Sequence, residues 1–146
     1  MDVKECLEKG LLKKERPDIE KTKRSLDMAD EKLKLAQRSI EAGIYENALL
    51  NIYSAVFHAE RALLFRDGYK ERSHFATYVY IKERYASLLE PRLINEINNL
   101  RIERHGILYG LEGREIGKEE VESILLISGD FVNAVKRIIM NQLPKQ

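Results

Sequence analysis

The sequence has little that would lock a small protein together from outside its own core. Its single cysteine, Cys6, excludes an internal disulfide and any zinc site built from several thiolates. Prolines occur only at positions 17, 91 and 144, so long uninterrupted helices are permitted. Neither charge sign dominates: 25 Lys+Arg against 24 Asp+Glu leave a net charge of +1. That balance excludes a polybasic nucleic-acid coat but leaves room for a local basic cleft. No apolar run approaches the ~20 residues of a membrane span, and Met1-Asp2-Val3-Lys4-Glu5 has no secretory-leader core. A soluble, cytoplasmic chain is expected, with no membrane contact. What the sequence does have is 146 residues, 44% of them hydrophobic and 34% charged. That length suits one domain burying roughly two-thirds of its unfolded surface without a staple. The high charged fraction favours long helices with solvent-facing sides.

Hydrophobic spacing predicts four long helices and one short insert. Pro17-Asp18 opens the first, with Asp18 as N-cap. Leu26, Ala29, Leu33, Ala36 and Ile40 follow as one stripe up to Gly43, while Lys21, Glu31, Lys32 and Arg38 make a solvated face. The second helix runs from about Tyr45 to Arg66. Ala48, Ile52, Ala55, Ala59, Ala62 and Leu63 form one stripe; Leu50, Tyr53, Phe57 and Leu64 form another on roughly the opposite side. A helix apolar nearly all round is buried on both sides. Homodimerisation through Leu50, Tyr53, Phe57, Arg61 and Leu64 is the preferred explanation, and a helix wrapped by its own chain is the alternative.

Gly68 breaks the chain, and Ser73 caps a shorter helix carrying Phe75, Tyr78, Val79, Tyr85 and Leu89. Glu90-Pro91 restarts it. The helix from about Arg92 to Tyr109 places Leu93, Ile94, Ile97, Leu100, Ile107 and Leu108 on one side. Gly110, Gly113 and Gly117 mark a turn, and a last helix over about Lys118 to Gln142 uses Val121, Leu125, Ser128, Val132, Val135 and Ile139. Residues 2–15, with Val3, Cys6, Leu7 and Leu11, read as a small outer helix. No segment alternates with period two. The expected fold is all-α: a dimeric, antiparallel, up-and-down four-helix bundle with an additional short helix. Residues 1–16 form its N-terminal extension and 17–146 a single bundle domain.

The chemical anomaly lies in the fourth long segment, Leu100-Arg101-Ile102-Glu103-Arg104-His105-Gly106-Ile107-Leu108-Tyr109. Arg104 projects near the middle of the apolar stripe, and Arg101, His105 and Tyr109 follow one another along its edge. A guanidinium there costs several kcal/mol unless compensated. Two readings are open: a structural ion pair, with Glu60 for instance, or an anion site. In the second, Arg101, Arg104, His105 and Tyr109 line a site for a phosphate group, with His105 able to move a proton. His58, His74 and His105 are too scattered for a metal-ligand pattern, so no metal or cofactor is expected. His74 reads as a helix-start residue that could face the same cleft. Arg61 is either an interface residue or a phosphate contact, and Tyr53, Tyr78, Tyr80 and Tyr85 read as packing. Gly106, Gly110, Gly113 and Gly117 lack a preceding strand and mark a helix end and turn. No Gly-x-Ser-x-Gly, Cys-His or paired-carboxylate motif is present.

Tyr45-Glu46-Asn47-Ala48, then Tyr53-Ser54-Ala55-Val56-Phe57-His58-Ala59-Glu60-Arg61-Ala62-Leu63-Leu64, then Gly68 and Ser73-His74 resemble the core signature of HEPN domains. These are the "higher eukaryotes and prokaryotes nucleotide-binding" bundles. Lys9-Gly10-Leu11-Leu12-Lys13 with Pro17-Asp18, and Arg104-x4-Tyr109-Gly110 before Glu119-Glu120, resemble the small stand-alone prokaryotic members. The resemblance spans nearly the whole chain and implies a dimerising helical bundle, often partnered by a small nucleotidyltransferase. Many relatives are metal-independent ribonucleases, often toxins of toxin–antitoxin pairs, built on an arginine and a histidine with four to six residues between them. There the histidine moves protons at the ribose 2′-hydroxyl or the leaving oxygen, and the arginine stabilises phosphoryl charge. In this sequence three residues separate Arg101 from His105, and the residue at family spacing from Arg104 is Tyr109. The resemblance thus implies a nucleotide- or RNA-binding homodimer, or alternatively an endoribonuclease using His105 with Arg101 or Arg104. A purely structural helical scaffold is the third reading.

Overall fold

The segment with apolar residues all round its circumference is the helix on which most other elements pack. The computed structural model describes residues 1–110 and 115–142. The expected turn residue Gly113 and the third proline, Pro144, lie outside them. In chain order the elements are α1 (Val3–Glu8), β1 (Leu12–Lys14), α2 (Ile19–Glu41), α3 (Tyr45–Asp67), β2 (Tyr69–Glu71), α4 (His74–Tyr85), α5 (Pro91–Tyr109) and α6 (Lys118–Gln142). Among the described residues the protein is thus mostly helical, with six helices and one two-stranded sheet. No helix among them is long and apolar enough to cross a membrane.

Local chemistry sets the helix ends where the sequence places them. The Asp18 carboxylate accepts the Lys21 N–H at 2.9 Å, and the Ser73 hydroxyl accepts the Ala76 N–H at 3.3 Å, each satisfying a first-turn donor. Pro91 occupies the first turn of α5, where no N–H is needed. Gly68 ends α3 with φ of 88°, and a Cβ there would meet the Glu15 carbonyl oxygen at 2.8 Å. Only glycine suits both the left-handed turn and that close approach.

α2 lies along α3, α6 packs across both, and α5 rests on α3 and α6. With α4 and β2 also against it, α3 is enclosed by its own chain, which explains its second apolar stripe without another copy. Leu64 is fully buried by these elements and offers no surface to a partner, contrary to its expected interface role; Tyr53 is only 5% exposed. Leu50, Phe57 and Arg61 keep partial exposure.

Three further expectations are corrected. The chain over 2–15 is not one helix: α1 stops at Glu8, Gly10 turns with φ of 73°, and Leu12–Lys14 pairs antiparallel with Tyr69–Glu71. The expected helical fold thus holds for most of the chain with this small sheet added, which the sequence does not show because strands of three residues are too short to display alternation. The fully buried stripe of α5 ends at Leu100; Ile107 still packs against the core, but Leu108, 44% exposed, does not. Phe75 is exposed at the start of α4 rather than packed in the core.

The end of α3 is tied down by Asp67. Its carboxylate accepts the hydroxyls of Tyr80 at 2.7 Å and Tyr85 at 2.5 Å, while Arg66 reaches the Tyr85 oxygen at 2.6 Å. Asp67→Ala would strip two largely buried hydroxyls of their acceptor. It should lower unfolding free energy by about 1–3 kcal/mol, measured by urea denaturation with an unchanged m-value.

Candidate arginine–histidine site

Tyr53, Phe57 and Glu60 are spaced by four and three residues, and so share one face of α3. Their polar partner comes from the first residue of α4. His74 stacks on Phe57 with ring centroids 4.3 Å apart, and its Nδ1 lies 2.5 Å from the Tyr53 hydroxyl oxygen. The ring is held by one nitrogen, leaving Nε2 as the atom available to a ligand. Burial first, then the charges of Arg104, Arg101 and Arg61, press the His74 imidazole below its ordinary value. A neutral ring is therefore favoured near neutral pH.

α5 supplies the cations. Arg101 is steadied by Asn98, whose Oδ1 accepts Nη2 at 2.9 Å and Nε at 3.3 Å, and its guanidinium lies 5.2 Å from the Phe75 ring centroid. Arg104, one turn on, sits 5.1 Å from the Tyr53 ring centroid. Both are half-buried, and among the described residues neither forms an ion pair with a carboxylate. The ion-pair reading of Arg104 is thus not realised; an aromatic face takes the carboxylate's place. Cation–π contact is worth about 0.5–2 kcal/mol, and it leaves the guanidinium edge donors free for an anion.

Glu60 lies beneath this face, 4% exposed. Burial, reinforced by the Glu71 charge, holds its carboxyl well above the usual carboxylate range, while Arg101 pulls the other way. Arg61 is directed elsewhere. Its Nε is 3.0 Å from Glu71 Oε1, and its guanidinium lies between the rings of Phe57 and Phe65 at 5.7 Å and 5.0 Å.

Of the expected site residues, Arg101 and Arg104 meet at the α3–α4 face. His105 and Tyr109 do not join them there: both are exposed, and their rings contact each other at 5.1 Å. The histidine brought among the arginines is His74, which the sequence marks only as a helix start able to face a cleft. Its ring meets Tyr53 across 21 residues of chain, a distance that no spacing rule encodes. Among the described residues no group of three His, Cys, Asp or Glu side chains is placed to hold a metal ion.

Comparison with known proteins adds two findings. The family model described as the HEPN domain matches residues 22–138, which include every arginine and histidine of this face. A protein described as "Putative toxin MJ0605", from Methanocaldococcus jannaschii, is 28% identical over 120 residues, covering 78% of this chain and 85% of that protein.

The buried acid yields a prediction with a definite sign. Because the folded carboxyl of Glu60 is raised above its ordinary 4.5, stability from its protonated form is complete below that pH. It is lost as pH climbs towards the folded value, since the unfolded chain ionises first. Glu60→Gln should therefore raise the thermal midpoint at pH 8 and do so less at pH 4, followed by circular dichroism.

Proposed function

This chain belongs to the HEPN domain family, and on that premise we propose that it is a toxin-type, metal-independent endoribonuclease acting at the face shared by α3, α4 and α5. One observation carries the proposal. Two arginines without carboxylate partners among the described residues flank a histidine whose neutral form is favoured. Uncompensated guanidinium groups beside a neutral imidazole suit a phosphodiester, with charge to stabilise and a proton to remove. The name of the toxin relative supports the same reading.

In this reading Arg101 and Arg104 bind the phosphoryl oxygens and Tyr109 contacts the RNA. His74, neutral and beside the arginines, removes the 2′-hydroxyl proton, and His105, on the exposed end of α5, gives one to the leaving oxygen. The 2′-oxygen bonds to phosphorus as its proton passes to a base, and the P–O5′ bond breaks as the leaving oxygen is protonated. Residues 17–146 form the working unit, with 1–16 as an extension, in a four-helix-bundle homodimer. Half-buried Leu50 and Phe57, with edge contact from Tyr53, would meet the second copy, while Arg61 is left as a phosphate contact. A small nucleotidyltransferase is the proposed partner. A second reading, binding of nucleotide or RNA without cleavage, is favoured by the position of His105, which contacts Tyr109 rather than an arginine.

Incubating a short RNA with the protein in EDTA tests both readings. Wild type should cleave, and Arg104→Ala or Arg101→Ala should lower the rate by about 100-fold or more, as for loss of an oxyanion donor. His105→Ala should remove most of the activity; full activity in the Arg101/Arg104 double variant would overturn the assignment. RNA binding without any cleavage would select the second reading. Separately, sedimentation equilibrium should give twice the 17.0 kDa chain mass; a monomer at high concentration refutes the dimer.

A further inference from the structure

A second basic surface adjoins the first. Between α2 and α3 lies a groove of about 300 Å³, lined by Lys21, Arg24 and Met28 of α2, His58 and Arg61 of α3, and Lys70 of β2. Its charge is poorly compensated. Among the described residues Lys21, Arg24 and Lys70 form no ion pair, and the sheet register sets Lys13 directly across from Lys70. Like charges facing each other across a ladder are destabilising, so this strand pairing concentrates positive potential beside the groove at a cost to the fold. Among the described residues the acid engaged there is Glu71, paired with Arg61.

Hydrogen bonding in the groove is incomplete as well. The buried Nδ1 of His58 and Nε of Arg61 have no hydrogen-bond partner, the Arg61 N–H being misaligned with Glu71 despite their close approach. Oε2 of Glu71 is unpartnered too, so the polar groups along this groove are incompletely satisfied by the chain itself.

The groove is separated from the arginine–histidine face by a single side chain. The Arg61 guanidinium lies between Phe57 and Phe65, and Phe57 is the ring on which His74 stacks. The charge of Arg61 bears on His58 on one side and on His74 on the other. A free anion would fill only the groove; an extended polyanion could use both surfaces at once, with Arg61 common to them. Exposed Met28 offers an apolar contact for a base.

We propose that this groove is a substrate-strand subsite, holding the phosphate backbone of a single-stranded RNA whose neighbouring phosphodiester lies on Arg101 and Arg104. The inference rests on the proposed RNA substrate, but it concerns binding and does not require cleavage. Lys21, Arg24 and Lys70 are phosphate contacts, and Arg61 joins the two surfaces.

The test uses the full chain and a fluorescent 12-mer RNA with 2′-O-methyl riboses, which cannot be cut through a 2′-hydroxyl. Binding is followed by anisotropy over a salt series, with a dinucleotide and inorganic phosphate as the comparison ligands. Arg24→Glu with Lys70→Glu changes two exposed side chains outside the core. This double variant should weaken 12-mer binding by about 30-fold. It should also make the salt slope shallower by about 1.4, or 0.7 per lost single-strand phosphate contact. Dinucleotide binding should not change. Unaltered 12-mer affinity and slope would overturn the subsite. So would inorganic phosphate binding as tightly as the 12-mer and being lost in the same variant, since that describes a small-anion site. Failure of wild type to cleave RNA in EDTA, with the 12-mer result as expected, removes the ribonuclease reading and keeps the subsite.

Discussion

The polar face depends on how α4 is pinned to α3 at both ends. At one end Asp67 accepts Tyr80 and Tyr85; at the other the Tyr53 hydroxyl meets His74. Those anchor points on α3 are separated by about 20 Å of helix at 1.5 Å per residue. The chain must retrace most of that length between Gly68 and Ser73, and six residues do so only when extended, at roughly 3.3 Å each. β2 is therefore a geometric necessity before it is a sheet, and β1 pairs with the backbone groups that the extended link exposes. Gly68 permits the reversal, and Ser73 ends it by starting α4.

With His74 in place, the two arginines of α5 acquire surroundings that neither would have alone. A half-buried guanidinium loses part of its hydration, and a carboxylate partner would restore much of it while occupying the donors. Tyr53 and Phe75 offer flat faces instead. The rings compensate part of the desolvation and leave the planar donor edge uncommitted, a balance that suits reversible anion binding better than a structural salt bridge does. Glu60 is close enough to feel Arg101 but is held towards its neutral form by burial, so it compensates little of that charge at the surface.

The sequence revealed the helices well because their signals are local. Asp18, Ser73 and Pro91 act through atoms within one turn, and the helix bounds at Tyr45 and Lys118 follow from apolar spacing alone. Arg101 and Arg104 were legible for the same reason, as charges interrupting a periodic stripe. What escaped was non-local. The sheet joins residues almost sixty apart, and His74 reaches Tyr53 only through the retracing link. Leu64 was misread because a helix wrapped by its own chain and a helix shared between two copies leave the same apolar pattern. Deciding between them requires knowing where α5, α6 and β2 go.

The end of α5 also misled, and the reason bears on the chemistry. Its apolar rhythm continues through Leu108, although the last fully buried residue is Leu100 and only Ile107 beyond it still packs against the core. Ile102, Leu108 and the 65% exposed Tyr109 thus project from a helix end left exposed among the described residues, and His105 rides on that same end. Arg101, held by Asn98 and the Phe75 ring, is positioned by the folded chain, whereas among the described residues His105 rests on an exposed tyrosine. Under the proposed dimer, a second copy covering these apolar side chains would supply the missing constraint on His105. In the proposed ribonuclease reading the division of labour would follow from packing: the monomer fold would orient the anion-binding groups, and association would determine whether His105 reaches them.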